Sequence, residues 1–515
     1  MDPQATRSPW RFRLHPAGWA ALVVLLTAGY FQNRRPGWNV NTQLALTCAI
    51  VERGTLSIDA YHERPDFLTM DKAYFQGRFY SDKSPVLSFL GVPAYAVFYE
   101  GARRGFWPLD ANRARYWVTW TTVGGSAAAL AALLALLLAR HGASPRISAL
   151  LAAGWIAATP LLGYSTLYFN YLPACAFALG GWLLVEPFWT PRASEPGGRA
   201  GPRGVWGRLL GGGVLVGLAS WTLPTMASLA LLMTAGLAWG SVRERGADST
   251  GARPISAARR ILAHLLPWAV GGVIGASGFA IYSWALFGEI TTPYRFEYDE
   301  NFRASMAQGL MGARWPDLRV LALITFHPFR GLFTLFPTTA IAWLGAVGGL
   351  RLGRRTSLAI ALAFLLALLL YNAGYYMWWG GWAYAPRHLI PSLPFLALGL
   401  VEWLGSPGRR GYFARACGLG AVMIAGGLMN AAAVAVDPQP PPGLPEAALR
   451  APETVADWPL PFIELIGQAI RGEIEPNWGK TLGLPGLASL LPLVLLWVAF
   501  VIAGLRRRLT TQAGG

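Results

Sequence analysis

Ala17-Gly18-Trp19-Ala20-Ala21-Leu22-Val23-Val24-Leu25-Leu26-Thr27-Ala28-Gly29-Tyr30-Phe31 carries no charge over its whole length, and Arg7, Arg11 and Arg13 stand just before it. No small-residue cleavage site follows the run, so it reads as a retained signal-anchor and first membrane span, with residues 1–16 cytoplasmic because arginine resists translocation. The rest of the chain repeats the pattern. Apolar residues make up 54% of the sequence and charged residues only 13%. Further charge-poor runs lie at 116–139, 147–167, 171–185, 209–223, 225–240, 261–287, 332–350, 356–376, 390–405, 417–436 and 484–505, the pair around Pro224 being short enough to tilt or kink. A helix needs about 20 residues to cross a hydrocarbon core, so together with the first run these predict an all-α polytopic membrane protein of about twelve spans.

The connecting segments sort by charge. Loops 140–146, 186–208, 241–260, 351–355, 406–415 and 506–508 contain arginine and few acids, which places them on the cytoplasmic side together with both termini. The segments 32–83, 288–331, 377–389 and 437–483 then face outward and hold most of the carboxylates. The expected organisation is a transmembrane core at 17–436 with first external loop 32–83, a last external loop at 437–483, and a final span with cytoplasmic tail at 484–515. In that last loop, residues 461–471 are expected to form a short helix on the membrane surface. Parity leaves no crossing for 84–101, which contains Pro93, so this stretch is expected to be interfacial or re-entrant, as irregular backbone at membrane depth lines a cavity. The net charge of +17 is spread over short loops rather than gathered on one domain, which argues against nucleic acid as a partner and leaves membrane lipids as the expected surroundings. Cys48, Cys175 and Cys417 are too dispersed for a disulfide framework or a thiolate metal site.

The first external loop concentrates the chemistry. Asp71-Lys72 and Asp82-Lys83 hold two of the three lysines among 43 basic residues. Between them, Gln76-Gly77 is flanked by aromatics, a hairpin pattern that sets Asp71 opposite Asp82 with Cβ atoms about 5 Å apart. Carboxylates that close raise one pKa, which suits a general base, while Lys72 and Lys83 hold the other ionised. A divalent cation bridging the two is the one candidate cofactor; no other metal site is expected, since no HxxxH or HxH spacing accompanies the histidines. The competing reading is a solvated hairpin whose charges point into water.

The loop motifs resemble those of a known family. Gly77-Arg78-Phe79-Tyr80-Ser81-Asp82-Lys83-Ser84-Pro85 is similar to the Gly-x-x-Tyr-x-Glu/Asp-Lys-x-Pro motif of the C-type (GT-C) membrane glycosyltransferases, the superfamily of the protein O-mannosyltransferases (family 39) and the lipid A aminoarabinose transferases. Asn39-Val40-Asn41 before a segment ending at Glu52-Arg53-Gly54, Ser283-Trp284-Ala285-Leu286-Phe287-Gly288, Pro328-Phe329-Arg330-Gly331-Leu332-Phe333 and Trp379-Gly380-Gly381-Trp382-Ala383-Tyr384-Ala385-Pro386-Arg387 match further motifs, with Ala385 in place of a glycine. The resemblance implies a GT-C-like bundle whose external loops carry short interfacial helices. It also implies sugar transfer from a polyprenyl phosphate donor to a lipid, glycan or protein acceptor at the outer face of the inner membrane.

Roles follow from that chemistry. A lipid phosphate gains negative charge as its glycosidic bond breaks, and Lys83, Arg330 and Arg387 are the candidates to stabilise it. Many relatives carry an acid soon after the first span where this chain has Asn39 and Asn41, and an amide takes no proton. The base is therefore sought at Asp71, Asp82 or Asp59, with the asparagines orienting substrate. Asn170, Trp379, Tyr384 and His388 are further candidates to touch substrate, against the alternatives of a helix cap for Asn170 and an interfacial aromatic belt for the rings. A transporter or flippase of lipid-linked saccharides is the alternative class. It would favour an internal repeat, and none is visible between the two halves.

Overall fold

The computed structural model describes residues 15–190, 202–243, 257–351, 355–408, 410–450, 452, 455 and 458–506. Arg7, Arg11 and Arg13, the loop stretches 191–201, 244–256 and 352–354, and the tail from 507 lie outside the described residues. Helices dominate, and the only sheet among the described residues has two strands.

Seven helices among the described residues are long and apolar enough to cross a membrane: Ala111–Arg140, Tyr171–Phe188, Met226–Arg243, Ala257–Phe287, Thr356–Gly374, Tyr412–Val436 and Gly486–Leu505. The chain is an all-α polytopic membrane protein. Of the other expected spans, 209–223 lies in an unbroken 21-residue helix, Pro202–Thr222, that is less apolar than the seven. The rest are shorter or broken, and proline is the cause where they break, because it removes a donor and clashes with the preceding turn. The run at 147–167 divides at Pro160 into Pro145–Ala157 and Leu161–Ser165. The run at 390–405 becomes three short pieces, Arg387–Ser392, Leu393–Leu396 and Leu398–Leu404, around Pro391 and Pro394. By contrast, the stretch expected to be interfacial or re-entrant forms one unbroken helix, Val86–Arg103, which tolerates Pro93 and is not among the seven. A re-entrant turn is thereby excluded. Residues 461–471 do contain a helix, Pro461–Ile470.

Close helix packing rests on small residues. A Cβ on Gly213 or Gly217 would strike the backbone of helix Ala257–Phe287 at Trp268 and Gly272, and one on Gly271 or Gly275 would strike the backbone at Leu210 and Val214. This is the glycine-every-fourth-residue pattern by which helices approach in lipid.

The loops that the charge pattern groups together do meet. At one end of the bundle, His141 Nε2 is 2.6 Å from the buried Glu186 Oε1, which also accepts from Ser357 Oγ at 3.0 Å, while Trp189 Nε1 donates to Ser357 Oγ at 3.1 Å. From there the 20-residue helix Arg355–Gly374 runs about 30 Å at 1.5 Å per residue to Tyr375. Around Tyr375 the hairpin and the loops containing Glu297, Arg330 and Leu449 come together.

Candidate active site

The hairpin brings the first charges into place. Gln76 at φ 48° and Gly77 at φ 80° are both left-handed, the two-residue turn whose twist suits paired strands. Strand Lys72–Phe75 pairs with Arg78–Ser81, placing Lys72 opposite Ser81 and Phe75 opposite Arg78. One step further along that register, Asp71 faces Asp82. Both acids converge on Lys83, whose Nζ is 3.0 Å from Asp71 Oδ2 and also contacts Asp82 Oδ2. Exposure separates them: the Asp71 side chain is 22% exposed and that of Asp82 is 0% exposed. Burial pushes Asp82 up to about 6, with Lys83 opposing the rise and Asp71 adding to it. For Lys83 burial disfavours the charge, but Asp71 and Asp82 outweigh it and hold the ammonium well above its ordinary value.

Lys72 takes no part in this cluster. Consecutive residues of a strand point to opposite faces, and its Nζ lies 3.0 Å from His62 Nδ1, over the rings of Phe79 at 4.9 Å and Tyr298 at 5.0 Å. The expectation that both lysines serve the aspartates is therefore corrected to Lys83 alone.

Sequence reasoning missed Glu297. Its backbone bridges to Ala73, Tyr298 N–H donates to the Lys72 carbonyl at 2.9 Å, and Lys72 N–H donates to Glu297 Oε1 at 3.3 Å. The side chain is buried and its Oε2 has no partner, as is true of Asp82 Oδ1. Burial, reinforced by Asp82 and opposed by Lys83, pushes Glu297 up to about 10. The same loop lays Tyr294 and Phe302 over Lys83 Nζ, with ring centroids at 5.8 and 5.5 Å. In Arg295-Phe296-Glu297-Tyr298-Asp299-Glu300 three acids fall within four positions, so the sequence offers no signal that selects the first of them.

The second group is cationic. Arg330 is fully buried; Nε donates to Trp379 O at 3.2 Å, Nη1 to Phe329 O at 3.1 Å, and Nη2 has no partner. Burial brings this guanidinium down to about 9, with Tyr164 opposing and the positive charge of Arg387 adding to the fall. Arg387 lies 5.7 Å from the Phe169 ring centroid, and its Nε is buried with no partner. No carboxylate among the described residues forms an ion pair with either arginine. The Trp-Gly-Gly motif makes room here: Gly380 and Gly381 are left-handed, and a Cβ on Gly380 would come within 3.0 Å of Arg387 Cγ. Tyr164 OH and Asn170 Oδ1 are likewise buried without partners. Asn170 occupies the N-cap of helix Tyr171–Val185 but makes no capping bond, so the helix-cap alternative does not account for its amide. His388 packs on Tyr375 at 5.2 Å, and burial with Arg387 alongside brings it down to about 3, leaving it neutral.

Several sequence candidates lie apart from these groups. Asp59 is exposed and accepts Phe79 N–H at 2.7 Å. Asn39 and Asn41 belong to the first turn of helix Trp38–Arg53 rather than preceding it. Asn39 Oδ1 accepts from Gln43 at 2.7 Å, while Asn41 donates to Leu68 O at 2.9 Å and accepts from Arg115 at 3.3 Å. Trp379 and Tyr384 are corrected from substrate-facing rings to core. Trp379 is buried against Trp378, and Tyr384 is fully buried, stacked on Phe462 at 5.9 Å with its hydroxyl 3.5 Å from Pro160 O. The last loop covers the rings that an interfacial belt would expose. A divalent cation finds no donor set here: Lys83 Nζ fills the place between Asp71 and Asp82, and no group of three metal-ligating side chains gathers among the described residues.

No protein-family model and no curated protein matches the sequence. Among solved structures, ArnT from Cupriavidus metallidurans bound to undecaprenyl phosphate is similar over 95% of this chain and 75% of its own, at 14% identity and TM-score 0.52. ArnT in the apo state matches over the same shares at 14% identity and TM-score 0.49. The apo oligosaccharyltransferase of Archaeoglobus fulgidus matches over 89% of this chain and 60% of its own, at 12% identity and TM-score 0.44. A likeness of this degree is one of fold, and by it the chain has the fold of ArnT.

Proposed function

We propose that this protein is a membrane glycosyltransferase that moves a sugar from a polyprenyl phosphate to an acceptor hydroxyl on the periplasmic face of the inner membrane, with both termini cytoplasmic. One juxtaposition carries the reading. Asp71, paired with Lys83, lies within electrostatic reach of Arg387, and Arg387 and the fully buried Arg330 keep open donors and form no ion pair with a carboxylate among the described residues. A base and an anion site are what transfer from a phosphate-linked sugar requires. The fold shared with an ArnT solved with undecaprenyl phosphate supports the lipid donor.

In a single displacement, the acceptor oxygen attacks the anomeric carbon and its proton passes to the base. The bond from that carbon to the phosphate oxygen breaks, and the electron pair leaves with the phosphate. Asp71 is assigned as the base because its carboxylate reaches the surface, while Asp82 is enclosed. Arg387 Nε and Arg330 Nη2 receive the charge that develops on the phosphate, in a dry setting where fixed donors act more strongly than in water. Lys83, whose motif implies a phosphate contact, is occupied by two aspartates and instead orients Asp71. Asn170, whose buried Oδ1 has no partner, is assigned to accept a hydrogen bond from a sugar hydroxyl.

The experiment is transfer from a labelled polyprenyl phosphate sugar by the purified protein in lipid. Transfer that survives in Asp71→Asn rejects the base assignment. Movement of the labelled lipid across the bilayer without transfer rejects the enzyme in favour of a flippase.

A further inference from the structure

We propose that Glu297 and Asp82 share one proton, and that this closed pair fixes Lys83 so that Asp71 alone is presented to the acceptor. The catalytic half rests on the transferase reading; the shared proton does not.

The cluster holds three carboxylates and one ammonium. Asp71 and Asp82 both touch Lys83 Nζ, whereas Glu297 makes no ion pair. A buried carboxylate with no cation is costly and takes up a proton instead. A neutral carboxyl brings one O–H donor. Glu297 Oε1 is already engaged by Lys72 N–H at 3.3 Å, so the proton belongs on Oε2, the oxygen left without a partner. Asp82 Oδ1 is the other unpartnered carboxylate oxygen of the cluster, and its Oδ2 is taken by Lys83. One proton between Oε2 and Oδ1 satisfies both atoms.

The surrounding charges agree. Those facing the pair are Lys83 and Asp71 from the hairpin side and Tyr294 from the loop of Glu297, while Lys72 is turned toward His62. Burial is the first cause of the rise in both acids; Asp82 then adds to the rise of Glu297, and Asp71 to that of Asp82. Asp82, held by Lys83 on one oxygen and by the shared proton on the other, has no freedom to rotate. Lys83 is then fixed from below, with Asp71 as its one exposed partner. Glu297 is thus a positioning residue acting through Asp82 and Lys83.

The test uses the full-length protein and two readouts. Infrared difference spectra recorded across a pH titration are expected to show a protonated carboxyl C=O stretch at neutral pH that is absent from Glu297→Gln. In the transfer assay, Glu297→Gln, whose amide still donates to Asp82, is expected to stay within about threefold of wild type, while Glu297→Leu falls about tenfold or more, the cost of one charge-assisted hydrogen bond. Wild-type activity should fall at alkaline pH as the shared proton is lost, and the Gln variant should lack that fall. A neutral-pH spectrum with no Glu297-dependent band overturns the shared proton. A Gln variant as impaired as Leu, or one with the wild-type alkaline fall, overturns the positioning role. A Glu297-dependent band in a protein that transfers no sugar keeps the shared proton and removes the transferase reading.

Discussion

The hairpin cluster and the arginine pair are both charged and both withdrawn from water, yet they are built in opposite ways. Around Lys83, Asp71 and Asp82 hold one cation with Glu297 in electrostatic reach, and charges answer one another within the cluster. Arg330 and Arg387 meet carbonyls and aromatic faces but no carboxylate, and each keeps an N–H with nothing to donate to. Removing one member of a paired buried set is costly because the partner is left uncompensated. A cation already lacking its anion is different: it gains when an anion arrives. On the proposed reading, the first arrangement holds a geometry and the second receives a ligand.

That contrast breaks most directly at Asp71. Asp71→Asn should lower kcat by about 10²–10⁴-fold, the usual worth of a general base, with binding of the polyprenyl phosphate sugar unchanged. An equilibrium binding measurement beside single-turnover transfer checks both halves. Loss of donor binding in this variant would mean that the cluster, too, is a ligand site. Arg387→Ala should show the opposite pairing: weaker retention of the polyprenyl phosphate and a kcat lower by about 10²–10³-fold, as when one donor to a developing anion is lost. Arg387→Lys should recover only part of this, since a point charge does not reproduce the guanidinium fork. Full recovery would reduce Arg387 to a source of positive potential.

The protonation of the cluster sharpens the comparison by a smaller effect. Glu297 is raised by burial from 4.5 to about 10, so the native protein keeps a proton that the unfolded chain gives up. Its contribution to stability is complete below about pH 4.5 and is lost as the pH climbs through that interval to about 10; Asp82 adds a loss of the same sign between 3.8 and about 6. Glu297→Gln has no proton to lose. The melting temperature of the Gln variant should therefore gain on wild type as the pH is raised from about 5 to about 9. Parallel curves would mean that Glu297 is ionised throughout.

How much of this was legible in the sequence follows the range of the forces involved. Membrane spans show in local composition, and the hairpin shows because Gln76-Gly77 and its flanking aromatics are adjacent in the chain. The Asp71–Lys83 pair follows from that register. Glu297 was hidden because its partners, Lys72 and Ala73, are over two hundred positions away, and nothing local sets it above Asp299 or Glu300. Trp379 and Tyr384 were misread for a related reason. An aromatic beside an arginine motif looks like a boundary residue until Phe462 and the rest of the last loop are seen to bury it.

Asp59 provides the smallest expected effect and the sharpest control. It lies in the same loop as Asp71, carries the same functional group and is more exposed, so accessibility alone would make it the better base. It has no lysine against it. Its Oδ1 accepts Phe79 N–H at 2.7 Å and so ties the loop to the second strand of the hairpin. Asp59→Asn keeps a carbonyl oxygen for that N–H and should leave kcat within about threefold of wild type, and Asp59→Ala should cost about 1 kcal/mol of hairpin stability, the usual worth of such a bond. Thermal unfolding and transfer measured on the same preparations separate the two effects. If Asp59→Asn were as inactive as Asp71→Asn, contact with Lys83 would not be what makes a carboxylate of this loop a base, and the closed cluster would lose its assigned purpose.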